Sequence, residues 1–200
     1  MQETEITVEV LENEGAIKLK LNELGFNVVR HVVMTDSYFS KFSTEELLKM
    51  SYGKIMSNSF LVRKLAGDTN CTLLHYKDKK LDNVGNVIAE EKLAEPVTDF
   101  ENCVKIFKQA NINNWCNIVQ DMYIYKGNDM EFALQIVDGL GIFIEYEEDA
   151  SVAGLKPEEK VVKMVKKLNS FGLNLGKDHS VKKVYLKFLK EQDRHEVKIM

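Results

Sequence analysis

Proline, cysteine and long apolar runs are all scarce in this chain of 200 residues, and each scarcity argues against a class of protein. With only two prolines and no low-complexity tract, the chain lacks the composition of a linker-rich protein. Its three cysteines, Cys71, Cys103 and Cys116, are widely spaced without a C-x-x-C pair, which argues against a disulfide framework or a zinc site. Free thiols, and an acidic N-terminus without a signal-peptide pattern, predict a cytoplasmic protein.

Positive charge is also in short supply. The formal net charge is −4, so the chain has no overall basic field to attract nucleic acid or an anionic membrane. No apolar run approaches the roughly 18 residues that a membrane-spanning helix needs. Hydrophobic residues make up 44% and charged residues 29% of the chain, as in ordinary globular domains. We therefore expect neither nucleic acid nor a membrane as a partner.

The N-terminal stretch ETEITVEV alternates in polarity as a strand does. One face carries Glu3, Glu5, Thr7 and Glu9, and the other carries the apolar side chains of Ile6, Val8 and Val10. The acidic face holds no lysine or arginine, although like charges in a row repel one another. The composition of this face raises the question of what it faces, since a solvated acidic strand would have the same pattern.

Hydrophobic periodicity along the whole chain predicts an α+β protein with a mainly antiparallel sheet. Strands are predicted over 3–10, 26–39, 59–66, 71–80, 85–95, 117–126, 130–137 and 141–148. Helices are predicted over 12–24, where Gly25 ends the first, and over 43–50, 98–112, 157–168 and 180–191. Capping boxes are expected at Ser43 with Glu46 and at Thr98 with Glu101.

Several predicted strands are polar on one face and apolar on the other. Arg63, Lys77, Gln120, Gln135 and Glu145 belong to such polar faces. If helices cover the apolar faces, the polar faces either line the inside of a curled sheet or lie open to solvent. Alternation alone leaves both arrangements open.

Six motifs, taken in order, resemble the CYTH domains, also called triphosphate tunnel metalloenzymes. The opening Glu3-x-Glu5 is similar to the E-x-E-x-K start of that family, and Glu145 with Glu147 is similar to its late pair of alternate glutamates. The other matching stretches are LGF at 24–26, TDSYF at 35–39, SFLVR at 59–63 and LLHYK at 73–77. The resemblance covers residues 1 to about 150, and the last helix more weakly.

The resemblance implies a closed eight-stranded antiparallel β-barrel, or tunnel, with helices packed outside. It implies one CYTH-like domain over 1–200, with the main tunnel strands in 1–150 and C-terminal helices in 151–200. It further implies that Glu3, Glu5, Glu145 and Glu147 hold Mg²⁺ or Mn²⁺, and that Arg63 and Lys77 bind phosphate. Members of the family include class IV adenylyl cyclases and several triphosphatases, including thiamine triphosphatase.

The sequence departs from the family pattern mainly where cations are expected. Four positions of family cations are held by Thr7, Leu61, Gln120 and Met122, and Gln135 stands where an aspartate is expected. Charges in 90–92 are swapped in sign relative to the family. A triphosphate carries roughly three to five negative charges, and burying them without partners is costly. The acidic half of the site is therefore expected to remain, and the phosphate half to be depleted.

Three functions remain open from the sequence. One is a metal-binding tunnel protein with weak or no turnover, whose small-molecule ligand is a triphosphate or an organic cation. Another is an active metal-dependent triphosphate hydrolase or adenylyl cyclase. The third is a structural partner protein. His75 and Tyr38 are candidates for chemistry, but strand residues of these types more often have packing roles.

Overall fold

The structure is a computed structural model that describes residues 4–81 and 87–197, and the side chains of 4–76 and 93–193. Glu3 lies outside the described residues, and so does the side chain of Lys77. The chain forms two compact units, each of which is described by itself. The first comprises Met1–Val33 and Gln120–Lys183, and the second comprises Met34–Val119 and Val184–Met200.

Eight strands form one sheet, as the polarity patterns predict. They are β1 (Glu5–Val10), β2 (Asn27–Ser40), β3 (Phe60–Gly67), β4 (Cys71–Leu81), β5 (Val87–Pro96), β6 (Asn113–Gly127), β7 (Met130–Val137) and β8 (Gly141–Glu147). Their order in the sheet is β1-β8-β7-β6-β2-β3-β4-β5. The pairs β1–β8, β3–β4, β4–β5, β6–β7 and β7–β8 are antiparallel. The α+β class with an antiparallel eight-stranded sheet is confirmed.

The described residues contain six α-helices and one short 3-10 turn. The helices are α1 (Glu14–Glu23), α2 (Thr44–Leu48), α3 (Tyr52–Met56), α4 (Phe100–Gln109), α5 (Pro157–Asn169) and α6 (Lys183–Val197), and the 3-10 turn is Ala150–Val152. Helix α3 has no counterpart in the sequence prediction. None of the described helices is long and apolar enough to span a membrane.

The core of the first unit lies on the apolar face of the strands β1, β6, β7 and β8. Ile6, Val8 and Ile144 are at most 1% exposed on this face. Helices α1 and α5 cover it with Ile17, Leu21, Met164 and Leu168, all of which are fully buried. Because the apolar face is covered by helices, the acidic face of β1 is the opposite one.

The core of the second unit has the same design on a smaller scale. Helix α4 presents Phe107 to Phe39 and Val62, two buried strand residues. The ring of Phe107 lies 5.0 Å from that of Phe39 and 5.4 Å from that of Phe60. Helix α4 therefore covers the strands of this unit with an apolar face.

The sheet order has two ends, β1 and β5, and the outer edge of β1 is hydrogen-bonded to a C-terminal stretch, residues 174–181, here called the edge segment. The N–H of Thr7 donates to the carbonyl of His179 at 3.1 Å, and the N–H of Val181 donates to the carbonyl of Thr7 at 3.1 Å. A closing strand would need these same backbone groups. The closed barrel predicted from the sequence is therefore not confirmed.

One predicted helix cap is wrong by a single residue. Helix α4 begins after Asp99, whose carboxylate accepts from the N–H of Asn102 at 3.0 Å, so Thr98 is not the cap. The capping box of Ser43 with Glu46 is confirmed. Aspartate and threonine both cap helices, so their adjacency leaves the choice to the backbone conformation.

Candidate metal site

Strand pairing brings the acidic residues of β1 and β8 together. In the antiparallel register, Glu5 lies opposite Glu147 and Thr7 lies opposite Glu145. Side chains of directly opposed residues project from the same face, with Cβ atoms about 5 Å apart. The two glutamates of β8 are separated by one residue, so all three acidic side chains share that face.

Glu5, Glu145 and Glu147 form a carboxylate cluster in the structure. One carboxylate oxygen from each lies within 4.8 Å of the others. It is the one group of three or more potential metal ligands found among the described residues. Glu145 is half-buried, whereas Glu5 and Glu147 are exposed. Three of the four residues predicted as metal ligands are thus brought together, and Glu3 lies outside the described residues.

The donor set of this cluster suits a hard divalent cation. Mg²⁺ and Mn²⁺ prefer oxygen ligands, and carboxylates supply both the oxygens and the compensating charge. An octahedral ion with metal–oxygen distances of about 2.1 Å places neighbouring oxygens about 3 Å apart. The oxygens of the cluster lie within 4.8 Å of one another, a limit that accommodates this spacing. The residues present therefore fit Mg²⁺ or Mn²⁺, with Glu5, Glu145 and Glu147 as ligands.

A lysine from the C-terminal region also reaches this cluster. The ammonium group of Lys183, the first residue of α6, donates to Oε2 of Glu145 at 2.6 Å. It also donates to Oε1 of Gln135, which is 1% exposed. The side chain of Lys183 is itself only 14% exposed. One of the three carboxylates is therefore already paired with a cation from the same chain.

The face beside the cluster is neutral and partly apolar. In the registers of β6, β7 and β8, Gln135 lies opposite both Met122 and Phe143, and Gln120 lies opposite Val137. Gln120 and Gln135 are buried, at 4% and 1% exposure. The amide of Gln135 contacts the sulfur of Met122 at 3.8 Å. Gln120, Met122 and Gln135 thus lie on one face of the sheet, as the strand parity predicts.

Arg63, predicted to bind phosphate, forms a bidentate ion pair with Asp36 in the second unit. Its Nε and Nη2 donate to the two carboxylate oxygens of Asp36, each at 2.7 Å. Asp36 is 3% exposed, so this pair is substantially removed from water. A bidentate arginine–carboxylate pair fixes the guanidinium geometrically and offsets its charge. Any anion at Arg63 would share it with Asp36.

Other predicted residues of the second unit lie on the face of Arg63. The register pairs Leu61 with His75 and Arg63 with Leu73, and alternation places Leu61 and Arg63 on one face of β3. The side chain of Lys77 lies outside the described residues. Leu61 is 4% exposed, so it contributes to the core.

Tyr38 is buried in the second unit, next to the pair formed by Arg63 and Asp36. Burial, with a contribution from the negative charge of Asp36, raises the pKa of the Tyr38 hydroxyl well above its ordinary value. Its ring lies 5.5 Å from that of Trp115. Tyr38 is therefore a neutral phenol at physiological pH, consistent with a packing role.

Sequence reasoning missed two charged residues of these sites, Lys183 and Asp36. The lysine-rich C-terminal stretch predicts a solvated helix face, and nothing in its local pattern marks Lys183 as half-buried. Its partner Glu145 is 38 residues earlier in the chain. Asp36 appears in the sequence as part of the TDSYF motif, but only the contact with Arg63 shows what its charge does.

A comparison with curated proteins finds one relative that matches almost the whole chain. It carries the name "Putative adenylate cyclase" and comes from Methanocaldococcus jannaschii. The two sequences are 27% identical over 191 residues, which cover 93% of this chain and 97% of the relative. No protein-family model matches the chain.

Solved structures share the fold at lower identity. The PH1819 protein of Pyrococcus horikoshii is 20% identical, with a TM-score of 0.63 and coverage of 95% of this chain and 99% of that one. A Hippeastrum protein described as "Putative adenylyl cyclase HpAC1", with a dominant triphosphatase activity, is 14% identical. Its TM-score is 0.60, with coverage of 95% and 96%. These likenesses concern the fold, and with the curated relative they support the resemblance to CYTH-like proteins.

Proposed function

We propose that this chain is a divergent CYTH-like protein that binds a divalent cation, Mg²⁺ or Mn²⁺, through Glu5, Glu145 and Glu147. The observation that carries the proposal is the approach of three carboxylate oxygens within 4.8 Å on adjacent strands. Three negative charges at this spacing repel one another, and a divalent cation relieves that repulsion. Glu3, two residues before Glu5 in the acidic alternation, is proposed as a fourth ligand.

We further propose that the bound metal helps to bind a small-molecule ligand, which the protein converts slowly or not at all. Stabilising phosphoryl transfer is largely a matter of positioned cations, and removing one such donor typically costs about 100- to 1000-fold in rate. Four expected cations are absent here, at Thr7, Leu61, Gln120 and Met122. Of the two proposed phosphate ligands, Arg63 is engaged by Asp36, and Lys77 stays a prediction. The neutral face around Gln135 suits a weakly charged ligand or an organic cation.

The metal site is tested by thermal unfolding with and without manganese. A ligand that binds only the folded state raises the melting temperature by mass action, so manganese should stabilise the unmodified protein. Replacing Glu145→Gln together with Glu147→Gln removes two of the three ligands and should abolish that rise.

The control is the pair Glu23→Gln and Glu45→Gln, two exposed carboxylates on helices α1 and α2. It removes the same charge and should leave the manganese effect unchanged. An equal rise in melting temperature in the protein without Glu145 and Glu147 would place the metal elsewhere and contradict the proposal.

A second candidate function is an active triphosphate hydrolase or adenylyl cyclase. It is favoured by the match over 191 residues to a relative named for adenylate cyclase. Phosphate release from tripolyphosphate, and cyclic AMP formation from ATP, distinguish the two functions. Rapid turnover with magnesium or manganese would support the active enzyme. Closure of the sheet into a tunnel, and a cytoplasmic location, stay predictions from the sequence.

A further inference from the structure

We infer that Lys183 is a built-in cation that competes with the divalent metal for Glu145, so that the protein opposes occupation of its own metal site. The inference rests on the metal site proposed above. It adds a regulatory residue that lies about 40 residues beyond the glutamates in sequence and that the strand pattern does not reveal. The contact that carries it is the 2.6 Å distance between Nζ of Lys183 and Oε2 of Glu145.

The backbone holds Lys183 at the cluster. The edge segment forms a parallel bridge with β1 between Thr7 and Ser180, and the N–H of Val181 donates to the carbonyl of Thr7. Thr7 lies directly opposite Glu145 in the register of β1 and β8. Lys183 follows Val181 by two residues, so these backbone hydrogen bonds deliver its side chain to Glu145. An accidental surface contact would lack this support from the main chain.

Burial and hydrogen bonding also distinguish this ion pair from an ordinary surface pair. The side chains of Lys183 and Glu145 are 14% and 25% exposed, so water screens their attraction only partly. A second acceptor, Oε1 of Gln135, lies on the same ammonium group and belongs to a residue that is 1% exposed. The family pattern expects an aspartate at this position. The neutral amide of Gln135 accepts a hydrogen bond from Lys183 without adding the negative charge that an aspartate would bring.

Competition follows from charge. A metal bound to the Glu145 carboxylate would lie within a few ångströms of the ammonium group, and two cations at that separation repel. Binding the metal therefore either displaces Lys183 from Glu145, which loses the ion pair, or leaves the two cations in repulsion, and both reduce the apparent metal affinity. Without metal, Lys183 neutralises part of the negative charge of the cluster. The metal therefore occupies the site only at a higher concentration than it would need without Lys183.

The test is a calorimetric titration of manganese into the unmodified protein and into Lys183→Met. The methionine keeps the length of the side chain and removes the charge, so manganese should bind at least roughly tenfold more tightly. Lys183→Arg, which keeps the charge, should bind as the unmodified protein does. Lys182→Met is the matched control for net charge on the neighbouring, exposed residue, and it should change affinity by much less than Lys183→Met. If the methionine variant does not fold, Lys183→Gln replaces it.

The outcomes separate the two proposals. Tighter binding by the uncharged Lys183 variant alone supports competition. If that variant binds manganese equally well or more weakly, the competition is overturned. The proposed metal site still stands in that case, provided that Glu145→Gln with Glu147→Gln abolishes manganese binding. Absence of any manganese binding that depends on these glutamates, with or without Lys183, overturns both.

Discussion

At the scale of single residues, Asp149 shows how neighbouring donors set the charge of a carboxyl group. It accepts from the hydroxyl of Tyr146 at 2.5 Å, from the N–H of Ser151 at 2.8 Å and from the ammonium of Lys167 at 3.0 Å. Burial would raise the pKa of Asp149, but the hydrogen bonds from Ser151, Tyr146 and Lys167 outweigh it and hold the pKa well below its usual range. These contacts tie the end of β8 to helix α5.

Asp149→Asn should destabilise the protein at neutral pH by about 1–3 kcal/mol, the range for hydrogen bonds to a charged group. A lowered pKa means that the folded state favours the ionised carboxylate, so this stability is present above the unfolded pKa of about 3.9 and is lost as pH falls below it. Urea unfolding at pH 7, 4 and 3 should show the difference between the two proteins shrinking toward low pH.

The control for this measurement is Glu131→Gln, a surface carboxylate whose distance to Lys126 is 3.7 Å. Both partners are more than half exposed, so the substitution should change stability by less than about 1 kcal/mol. A pH-independent difference between Asp149→Asn and the unmodified protein would contradict the assignment of an ionised, hydrogen-bonded carboxylate.

At the scale of elements, helix α4 offers a direct comparison between two adjacent candidate caps. Asp99→Ala should cost about 0.5–2 kcal/mol, because the carboxylate accepts from the backbone N–H of Asn102. Thr98 precedes the capping residue Asp99, so Thr98→Ala should reduce the free energy of unfolding by much less. Thermal unfolding of both variants measures the difference, and an equal loss from Thr98→Ala would move the cap back to the position predicted from the sequence.

Most elements could be predicted because their polarity patterns are local. Alternation in β1, with Ile6 and Val8 on one face and Glu5 and Thr7 on the other, predicted both the strand and its covered face. The short helix α3 was missed because five residues, Tyr52–Met56, are too few to show helical periodicity. Its cap, Ser51, is visible in the sequence, but it precedes no apolar stripe.

Closure of the sheet could not be decided by the same means. Alternation of polar and apolar residues identifies the two faces of a strand. Closure of the sheet depends instead on which backbone groups hydrogen-bond to the edges of its outermost strands. The outer edge of β1 is bonded through Thr7 to His179 and Val181, more than 170 residues later in the chain. No pattern within β1 or the edge segment specifies that pairing, since both are short and their bonds involve only the backbone.

At the scale of the whole molecule, charge balance separates the two candidate functions. Three of the four glutamates predicted as metal ligands are neighbours in the structure. Their role as ligands, and that of Lys77 toward phosphate, stay predictions. Lys183 adds one positive charge at the cluster, and Asp36 offsets the charge of Arg63.

The match to the archaeal relative spans 97% of that protein, so the comparison concerns whole chains rather than one shared segment.

The central claim is that the metal half of a triphosphate site remains while the phosphate half is depleted. Calorimetric titration of manganese into the unmodified protein, with and without tripolyphosphate, tests it most directly. We expect saturable manganese binding that Glu145→Gln with Glu147→Gln abolishes. Its affinity, expressed against free manganese after correction for chelation by tripolyphosphate, should be nearly unchanged by tripolyphosphate. No glutamate-dependent manganese binding, or tight tripolyphosphate binding that strengthens the metal affinity more than about tenfold, would contradict the account.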